Sequence, residues 1–487
     1  MRLDDLIKGM EVKELIGSSN LNINDFHFDS RKIKNNDLFI AITGTFLDGN
    51  KYINDAIENG ASVIVCNKLP DNLHNNLTYV LLSSDSREAL AIISKNFYDN
   101  PSSKLKLIGV TGTNGKTSVV SLLHQLFSEF GYKCGLISTV ENLVYNQKIK
   151  STHTTPDPKQ INFLLNEMIK NECEYCFMEV SSHAVDQKRI QFLEFDIAVF
   201  TNISHDHLDY HKNFENYLNA KKLFFDNLNE EAEALVNKDD KRSSFILQNT
   251  KAKQKNFSLK SFSDFKCKII ESDLNGMLLS IDNNEVWVKL TGTFNAYNLL
   301  AVYSVAVLLE EDTHDILQAM SLISPAEGRF EIFKNNKDNV CVLDYAHTED
   351  ALRNVISTIN SIKKNNQNLI TLFGCGGGRD KLKRPLMTRV AYDLSSKIIL
   401  TSDNPRNEPI DEIISDMLKG IENDDHAKVL IINDREQAIK TAFAIAQTSD
   451  IILIAGKGHE KFQEINGEKM PFDDKEKILE LINQNIK

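Results

Sequence analysis

The chain has 487 residues, 41% hydrophobic and 25% charged, a balance that builds ordinary globular cores and excludes a disordered protein. A formal net charge of −12 at pH 7 excludes a general nucleic-acid binder, which needs a basic face, but is compatible with a local basic pocket for an anionic small molecule. Met1-Arg-Leu-Asp-Asp-Leu6 lacks the apolar core of a signal peptide and no apolar stretch reaches about 18 residues, so neither a leader nor a membrane span is expected.

At about 150 residues per domain the length predicts roughly three domains. From residue 1, short apolar runs alternate with helical stretches. Leu38–Ile42, Ser62–Val65 and Tyr79–Leu82 read as strands, a helix is expected near Tyr52–Glu58, and Asp85 can cap another through Ala89, Ile92 and Phe97. Asn100-Pro-Ser-Ser103 breaks the pattern and predicts a linker, giving a first unit over 1–103. A second unit over 104–329 opens on the apolar run Leu105–Val110, with further strands at Gly135–Ser138, Tyr175–Val180 and Asp196–Phe200. Residues 240–290 read as hairpins or short strands, and Asn295–Glu310 as an amphipathic helix. The third unit, 330–487, sets strands at Val340–Leu343, Asn368–Phe373, Lys397–Leu400, Val429–Ile432 and Ile451–Ile454 between helical patterns. That alternation predicts a parallel sheet with helices on both faces, and an α/β class throughout. The seven cysteines are scattered and odd in number, which fits a reducing cytosol. Cys173-x-x-Cys176 has no second pair and reads as core.

The stretch that organises the chain is Gly112-Thr113-Asn114-Gly115-Lys116-Thr117-Ser118, between a buried strand and the apolar-periodic Val119–Phe127. Glycines admit phosphates to backbone N–H groups, the helix N-terminus adds a positive dipole end, Lys116 can reach the terminal phosphates and the Thr117 hydroxyl can ligate Mg²⁺. Val110 stands where a generic P-loop has its first glycine. Glu179 closes the strand Tyr175–Val180, at the carboxyl edge where α/β sheets place ligands, and its natural task beside a nucleotide is Mg²⁺. Thr201–His211 gathers His205, His207, His211, Asp206 and Asp209. The spacing matches no closed zinc site and favours support of a magnesium site. Three further strand ends carry Gly374–Asp380 with Arg379, Asp403-Asn404-Pro405-Arg406, and Gly456-Lys-Gly-His-Glu460. Their shared placement predicts one pocket.

These motifs, with Asp29-Ser30-Arg31, Asp37-Leu-Phe39, His153-Thr154-Thr155-Pro156, Met178–His183, Ala220-Lys221, Gly292–Asn295, Gly328-Arg329 and Asp344-Tyr-Ala-His347, resemble the Mur ligase family over essentially the whole chain. These are ATP-dependent amino-acid-adding enzymes of peptidoglycan synthesis. The combination is most similar to the members that add the third residue to UDP-N-acetylmuramoyl-L-alanyl-D-glutamate. Gly44-Thr-Phe-Leu-Asp-Gly49 keeps flanking glycines of the family pattern.

The resemblance implies a uridine-nucleotide domain, a P-loop ATP domain and a Rossmann-like amino-acid domain. ATP would phosphorylate a substrate carboxylate, and an amine would attack the acyl phosphate. Lys116 would neutralise phosphates, Thr117 and Glu179 would serve one Mg²⁺, and His207 and Lys221 a second. Because an ammonium has no lone pair to ligate a metal, Lys221 would be carbamylated (N6-carboxylysine), with Lys222 a surface charge. Asn295 and Asn298 would lie near adenine, and Arg329, Asp344 and His347 would close over the nucleotide. Ser30 would meet the uridine diphosphate. Thr154, Thr155, Ser181, Gln187 and Arg189 would hold the muramoyl dipeptide. Asp403–Arg406 matches the family's diaminopimelate pattern: Arg406 would pair with the distal carboxylate that lysine lacks, and Arg379, Gly456 and Glu460 would complete the pocket. A cytoplasmic monomer is expected. The rival readings are a lysine-adding ligase, a folylpolyglutamate synthase (which would leave Asp29–Phe39 unexplained), a P-loop switch or motor, and a zinc-binding regulator.

Overall fold

A computed structural model describes residues 1–44, 48–151, 153–334, 339–421 and 426–484, so Thr45–Leu47 of the Gly44–Gly49 stretch lie outside the described residues. The chain divides into two compact units. The first comprises Met1–Gly109, Tyr132–Ala198 and Leu223–Ala232, and the second Val110–Gly131, Val199–Lys222 and Glu233–Lys487.

In the first unit, a five-stranded sheet runs in the order Val12–Ile16, Thr78–Leu82, Ala61–Cys66, Asp37–Ile40, Phe26–His27, with only Val12–Ile16 antiparallel to its neighbour. Alternate residues serve opposite faces. Leu38, Val63 and Val80 meet Ala89, Leu90 and Ile93 of the helix Ser86–Phe97, while Phe39, Ile64 and Tyr79 meet Ile53 and Ala56 of the helix Ile53–Glu58. Both faces are covered, which is why these strands read as unbroken apolar runs. Asp85 caps its helix by accepting from the Arg87 N–H at 2.9 Å. The expected linker at 100–103 is instead ordered: Pro101–Lys104 forms a 3₁₀ turn with Ser102 buried. The same unit pairs Tyr175–Glu179 in parallel with Cys134–Ile137, followed by the antiparallel strands Asn142–Val144 and Gln147–Ile149, which carry too few apolar residues to show in sequence.

In the second unit, Glu233–Asn237, Lys253–Ser258 and Phe265–Asp273 run parallel, and Gly276–Ile281 and Asn284–Val288 complete an antiparallel meander. The helix Thr293–Leu308 is not amphipathic as expected: every residue from Asn298 to Ala306 is buried, so it is a central helix enclosed on all sides. The six-stranded sheet runs Glu331–Lys334, Val340–Asp344, Ile451–Ala455, Leu369–Phe373, Lys397–Leu400, Val429–Ile431, antiparallel at its first pairing and parallel thereafter. Val340 and Val342 face one core with the helices Glu349–Ile362, Lys383–Leu394 and Ile410–Leu418. Cys341 and Leu343 face another with Arg435–Ile445 and Asp474–Gln484. All seven cysteines are buried and free. No described helix is long and apolar enough to cross a membrane.

Candidate nucleotide and amino-acid site

The strand Lys106–Thr111 delivers the chain into Gly112–Gly115, and the helix Lys116–Glu129 starts immediately after. Gly115 caps that helix at φ +89°, and a Cβ there would come within 2.6 Å of Asn298 Oδ1. One on Gly112 would overlap the Thr201 hydroxyl. The loop is therefore glycine for both conformation and space. Its remaining polar groups are pinned: Thr113 N–H donates to the Asn202 carbonyl at 2.9 Å, Asn114 N–H to Asn202 Oδ1 at 3.0 Å, and Asn114 Nδ2 to Asp350 Oδ2 at 3.0 Å. Lys116 Nζ bonds the Gly112 and Thr113 carbonyls at 2.8 and 2.9 Å, keeping its charge over the cradle. Arg329 Nη2 donates to the Thr117 hydroxyl at 3.0 Å, and its guanidinium lies 4.4 Å from the Tyr345 ring centroid. Its Nε is buried without a partner, a donor that an anion would satisfy. Asn295 Nδ2 donates to the Thr291 carbonyl at 2.9 Å and Asn298 Nδ2 to Asn295 Oδ1 at 3.2 Å, so the two amides form a buried pair beside Gly115.

Lys221 is 1% exposed on the helix Phe214–Asp226, with Nζ 2.9 Å from the Gly112 carbonyl and 4.7 Å from the Tyr217 ring centroid. Burial, with repulsion from Lys116 added, pushes its amine well below the ordinary lysine range against the pull of Asp206. That shift favours the neutral, nucleophilic form of the Lys221 amine over a solvated charge. Lys222 is not a surface charge as expected: it is 6% exposed and lies over the Phe245 ring. Burial alone would raise Asp206, yet the fields of His207, His347 and Lys383 outweigh it and hold the carboxyl below its usual range. His207 takes a left-handed φ of +55° and sets Nε2 3.4 Å from Asp206 Oδ2. The three histidines of the cluster separate. His205 faces Asp380 at 3.3 Å, His207 faces Asp206, and His211 is buried against Tyr217. No three His, Cys, Asp or Glu side chains gather as a metal cluster among the described residues. Tyr217, whose hydroxyl meets Thr113 Oγ1 at 2.9 Å, is the component sequence reading missed.

Asp344 ends its strand buried, accepting from Phe330 N–H at 2.8 Å and Ala346 N–H at 2.7 Å. Burial pushes its carboxyl up to about 6 despite Arg329. Burial likewise pushes the His347 imidazole down to about 4, with Lys383 adding to the effect.

Glu179 is 1% exposed at the end of its strand. Its Oε1 accepts from Thr139 N–H at 2.8 Å and its Oε2 from the Thr139 hydroxyl at 3.2 Å, and that hydroxyl also reaches Thr154 Oγ1 at 3.0 Å. Thr139 is a second residue that no sequence pattern announced. Thr155 Oγ1 donates to the Glu179 carbonyl at 2.7 Å and accepts from Ser181 N–H at 3.0 Å, and the Ser181 hydroxyl caps Ser182–Asp186. Arg189 is braced by Gln187 Oε1 and, through Nη1, by the Thr155 carbonyl at 2.8 Å. Ser30 is buried, in a turn capped by Asp29, with its carbonyl accepting from Asn59 Nδ2 at 3.0 Å.

In the C-terminal sheet the three expected strand ends do meet. A Cβ on Gly374 would lie 2.8 Å from Asp403 N, and one on Gly456 2.9 Å from Asp403 Oδ2 and 3.6 Å from the Gly374 carbonyl. Asn404 Nδ2 donates to Glu460 Oε2 at 2.7 Å. A Cβ on Gly377 would overlap the Pro405 carbonyl, so the glycine loop lies directly against Asp403–Arg406. Arg406 takes φ +54°, donates Nη1 to the Gly377 carbonyl at 2.8 Å and sets Nε 3.4 Å from Glu464 Oε2. Its backbone bridges to the hairpin Phe462–Ile465/Glu468–Pro471. Arg379 stays exposed at the rim.

Residues 23–98 match the Mur ligase family catalytic domain, 110–306 the Mur ligase middle domain, and 328–458 the Mur ligase glutamate ligase domain. The chain is 49% identical over 483 residues to the UDP-N-acetylmuramoyl-L-alanyl-D-glutamate–2,6-diaminopimelate ligase of Cytophaga hutchinsonii, covering 99% of both chains. It is similar to a solved structure of a ligase of that same name, with a TM-score of 0.70 and 30% identity over 100% of this chain and 99% of that one. The MurF ligase of Thermotoga maritima in complex with ADP shares the fold, with a TM-score of 0.62 and 17% identity over 95% and 97% of the two chains. The chain belongs to the Mur ligase family of ATP-dependent, amide-bond-forming enzymes.

Proposed function

We propose that this chain joins meso-2,6-diaminopimelate to UDP-N-acetylmuramoyl-L-alanyl-D-glutamate in peptidoglycan synthesis, through an acyl phosphate made with ATP. The observation that supports this reading is the joined pocket at the ends of Lys397–Leu400 and Ile451–Ala455, where the segment Asp403–Arg406 carries both the Arg406 guanidinium, held on the Gly377 carbonyl, and Asn404, which binds the Glu460 carboxylate. A diamino diacid ends in an ammonium and a carboxylate, and this pair of opposite charges is complementary to both. A guanidinium holds a carboxylate with two parallel bonds and repels the bare ammonium of lysine.

In this reading 1–103 binds the uridine nucleotide through Ser30, 104–329 binds ATP, and 330–487 binds the amino acid. Gly112–Ser118, Asn295, Asn298, Arg329, Asp344 and His347 take the nucleotide. Thr154, Thr155, Ser181, Gln187 and Arg189 take the muramoyl dipeptide, and Arg379, Asp403–Arg406, Gly456 and Glu460 take diaminopimelate. Lys116 and Arg329 bring positive charge to the cradle, so two anions can meet before phosphoryl transfer. Thr117, Glu179, His207 and Lys221 are the residues that would hold Mg²⁺, which when bound would neutralise charge between phosphate and carboxylate. For Lys221 this carries one condition. Lys221 must react as its neutral amine with CO₂, forming an N–C bond and releasing one proton, so that an anionic oxygen replaces a nitrogen that cannot ligate once protonated. The enzyme is read as a cytoplasmic monomer.

The test is phosphate release from ATP with the UDP-muramoyl dipeptide and diaminopimelate, lysine or ornithine supplied separately. Release that depends on diaminopimelate supports the reading. Release only with lysine shifts it to the lysine-adding ligase, and release independent of any amino acid sinks it.

A further inference from the structure

Lys457 follows the strand Ile451–Ala455 and is completely buried, 0% exposed. An ammonium taken out of water is costly unless each of its three donors finds an acceptor. Here each does: Nζ donates to Glu460 Oε2 at 3.0 Å, to Asn404 Oδ1 at 3.2 Å and to the Phe462 carbonyl at 2.6 Å. This fixes the Asn404 amide. Its Oδ1 faces the cation and also accepts from Glu464 N–H at 2.9 Å, which leaves Nδ2 to donate to Glu460 Oε2 at 2.7 Å. Both side-chain bonds to Glu460 therefore fall on Oε2, and Oε1 has no hydrogen-bond partner among the described residues. One cation thus ties the turn Gly456–Glu460, the Asp403–Arg406 segment and the hairpin strand Phe462–Ile465 into a single knot, with one carboxylate oxygen left over.

We propose that Lys457 is a positioning and specificity-determining residue for the amino-acid substrate: it draws Oε2 of Glu460 into the knot and presents Oε1 to the ammonium at the far end of the incoming diamino acid. The inference rests on the function proposed above. Lys457 also balances the charge of Glu460. Without it the pocket gains one net negative charge, which disfavours the distal carboxylate of diaminopimelate and favours the bare ammonium of lysine.

The experiment is steady-state phosphate release by full-length wild type, Lys457→Met, Glu460→Gln and the double variant, each with diaminopimelate and with lysine. Lys457→Met is expected to raise KM for diaminopimelate about 10- to 100-fold, the scale of losing one charge-assisted hydrogen bond. KM for ATP and for the UDP-muramoyl dipeptide stays unchanged, and the diaminopimelate-to-lysine ratio of kcat/KM falls. The double variant matches Glu460→Gln, because Lys457 acts through Glu460. An unchanged KM for diaminopimelate, or equal losses for all three substrates, overturns the proposal. Should Lys457→Met fail to fold, the charge-balanced double variant decides: a KM equal to that of Glu460→Gln supports the role and a larger one overturns it. Absence of diaminopimelate-dependent release by wild type is a different failure, that of the functional reading itself.

Discussion

Replacing Arg406 by alanine is the most direct probe of substrate choice, and the structure sets the size of the effect. The residue sits at φ +54°, a left-handed conformation that strains alanine as it strains arginine, so the substitution removes the side chain without altering the backbone preference. One Nη1 hydrogen is committed to the Gly377 carbonyl and Nε faces Glu464, while Nη2 and the second Nη1 hydrogen remain for a carboxylate. Truncating one partner of a buried charge pair costs about 2–5 kcal/mol. The side chain is 28% exposed, so solvent screening brings this to about 2–3 kcal/mol, or roughly 30- to 150-fold in kcat/KM for diaminopimelate. With lysine the same substitution removes a like charge, so kcat/KM for lysine holds or rises. Arg406→Lys keeps the charge but not the planar fork, and recovers only part of the loss. The assay is phosphate release at saturating ATP and UDP-muramoyl dipeptide, with diaminopimelate and lysine varied in turn. An unchanged kcat/KM for diaminopimelate in Arg406→Ala would refute the role of Arg406.

Lys221→Ala is expected to reduce turnover by about a thousandfold or more through loss of a metal-holding oxygen. Wild type in labelled bicarbonate should show a carbamate carbonyl resonance that the variant lacks, and a silent wild type would count against carbamylation. Gly115→Ala forces a Cβ to 2.6 Å from Asn298 Oδ1 at φ +89°, so KM for ATP should rise about tenfold or more while KM for diaminopimelate holds. Burial pushes the His459 imidazole down to about 3, with Arg329, Lys461, His347 and Lys457 adding to the effect. A depressed folded pKa means the unfolded chain binds the extra proton first, so this contribution is intact above about 6.5 and is lost as pH falls, by up to about 1.4 kcal/mol per pH unit. His459→Gln should therefore flatten the acid side of the thermal-midpoint profile, and parallel profiles would rule this out. Arg435 and Asp474 are both fully buried and joined at 2.7 Å, and Arg435 also holds the Ser402 and Ala455 carbonyls just before Asp403 and Gly456. Arg435→Met should cost about 3–5 kcal/mol by denaturant unfolding and weaken diaminopimelate binding as well.

What could be read from the chain alone was whatever repeats or punctuates. Apolar runs such as Ile451–Ile454 marked strands covered on both faces, and glycine clusters at their ends marked where backbone approaches backbone, so the meeting of Gly374, Asp403 and Gly456 was legible. Weakly apolar strands such as Gln147–Ile149 and the 3₁₀ turn at Pro101–Lys104 were not, because tertiary pairing and burial, rather than local pattern, create them. The same limit governs the site. Lys116 and Arg406 announce themselves by motif, whereas Thr139, Tyr217 and Lys457 look like any threonine, tyrosine or lysine until the fold buries them. Lys221 and Lys222 are adjacent and chemically alike in sequence, and both lose water. Yet only Lys221 is placed against the Gly112 carbonyl, with Lys116 close enough to repel its charge. A lysine amine is pushed down by the company the fold gives it. The pocket at Glu460 follows a different rule, since its buried lysine finds an acceptor for each of its three donors. Two buried lysines on one chain thus keep different company, one carbonyl oxygen within hydrogen-bond reach of Lys221 against three oxygens around Lys457.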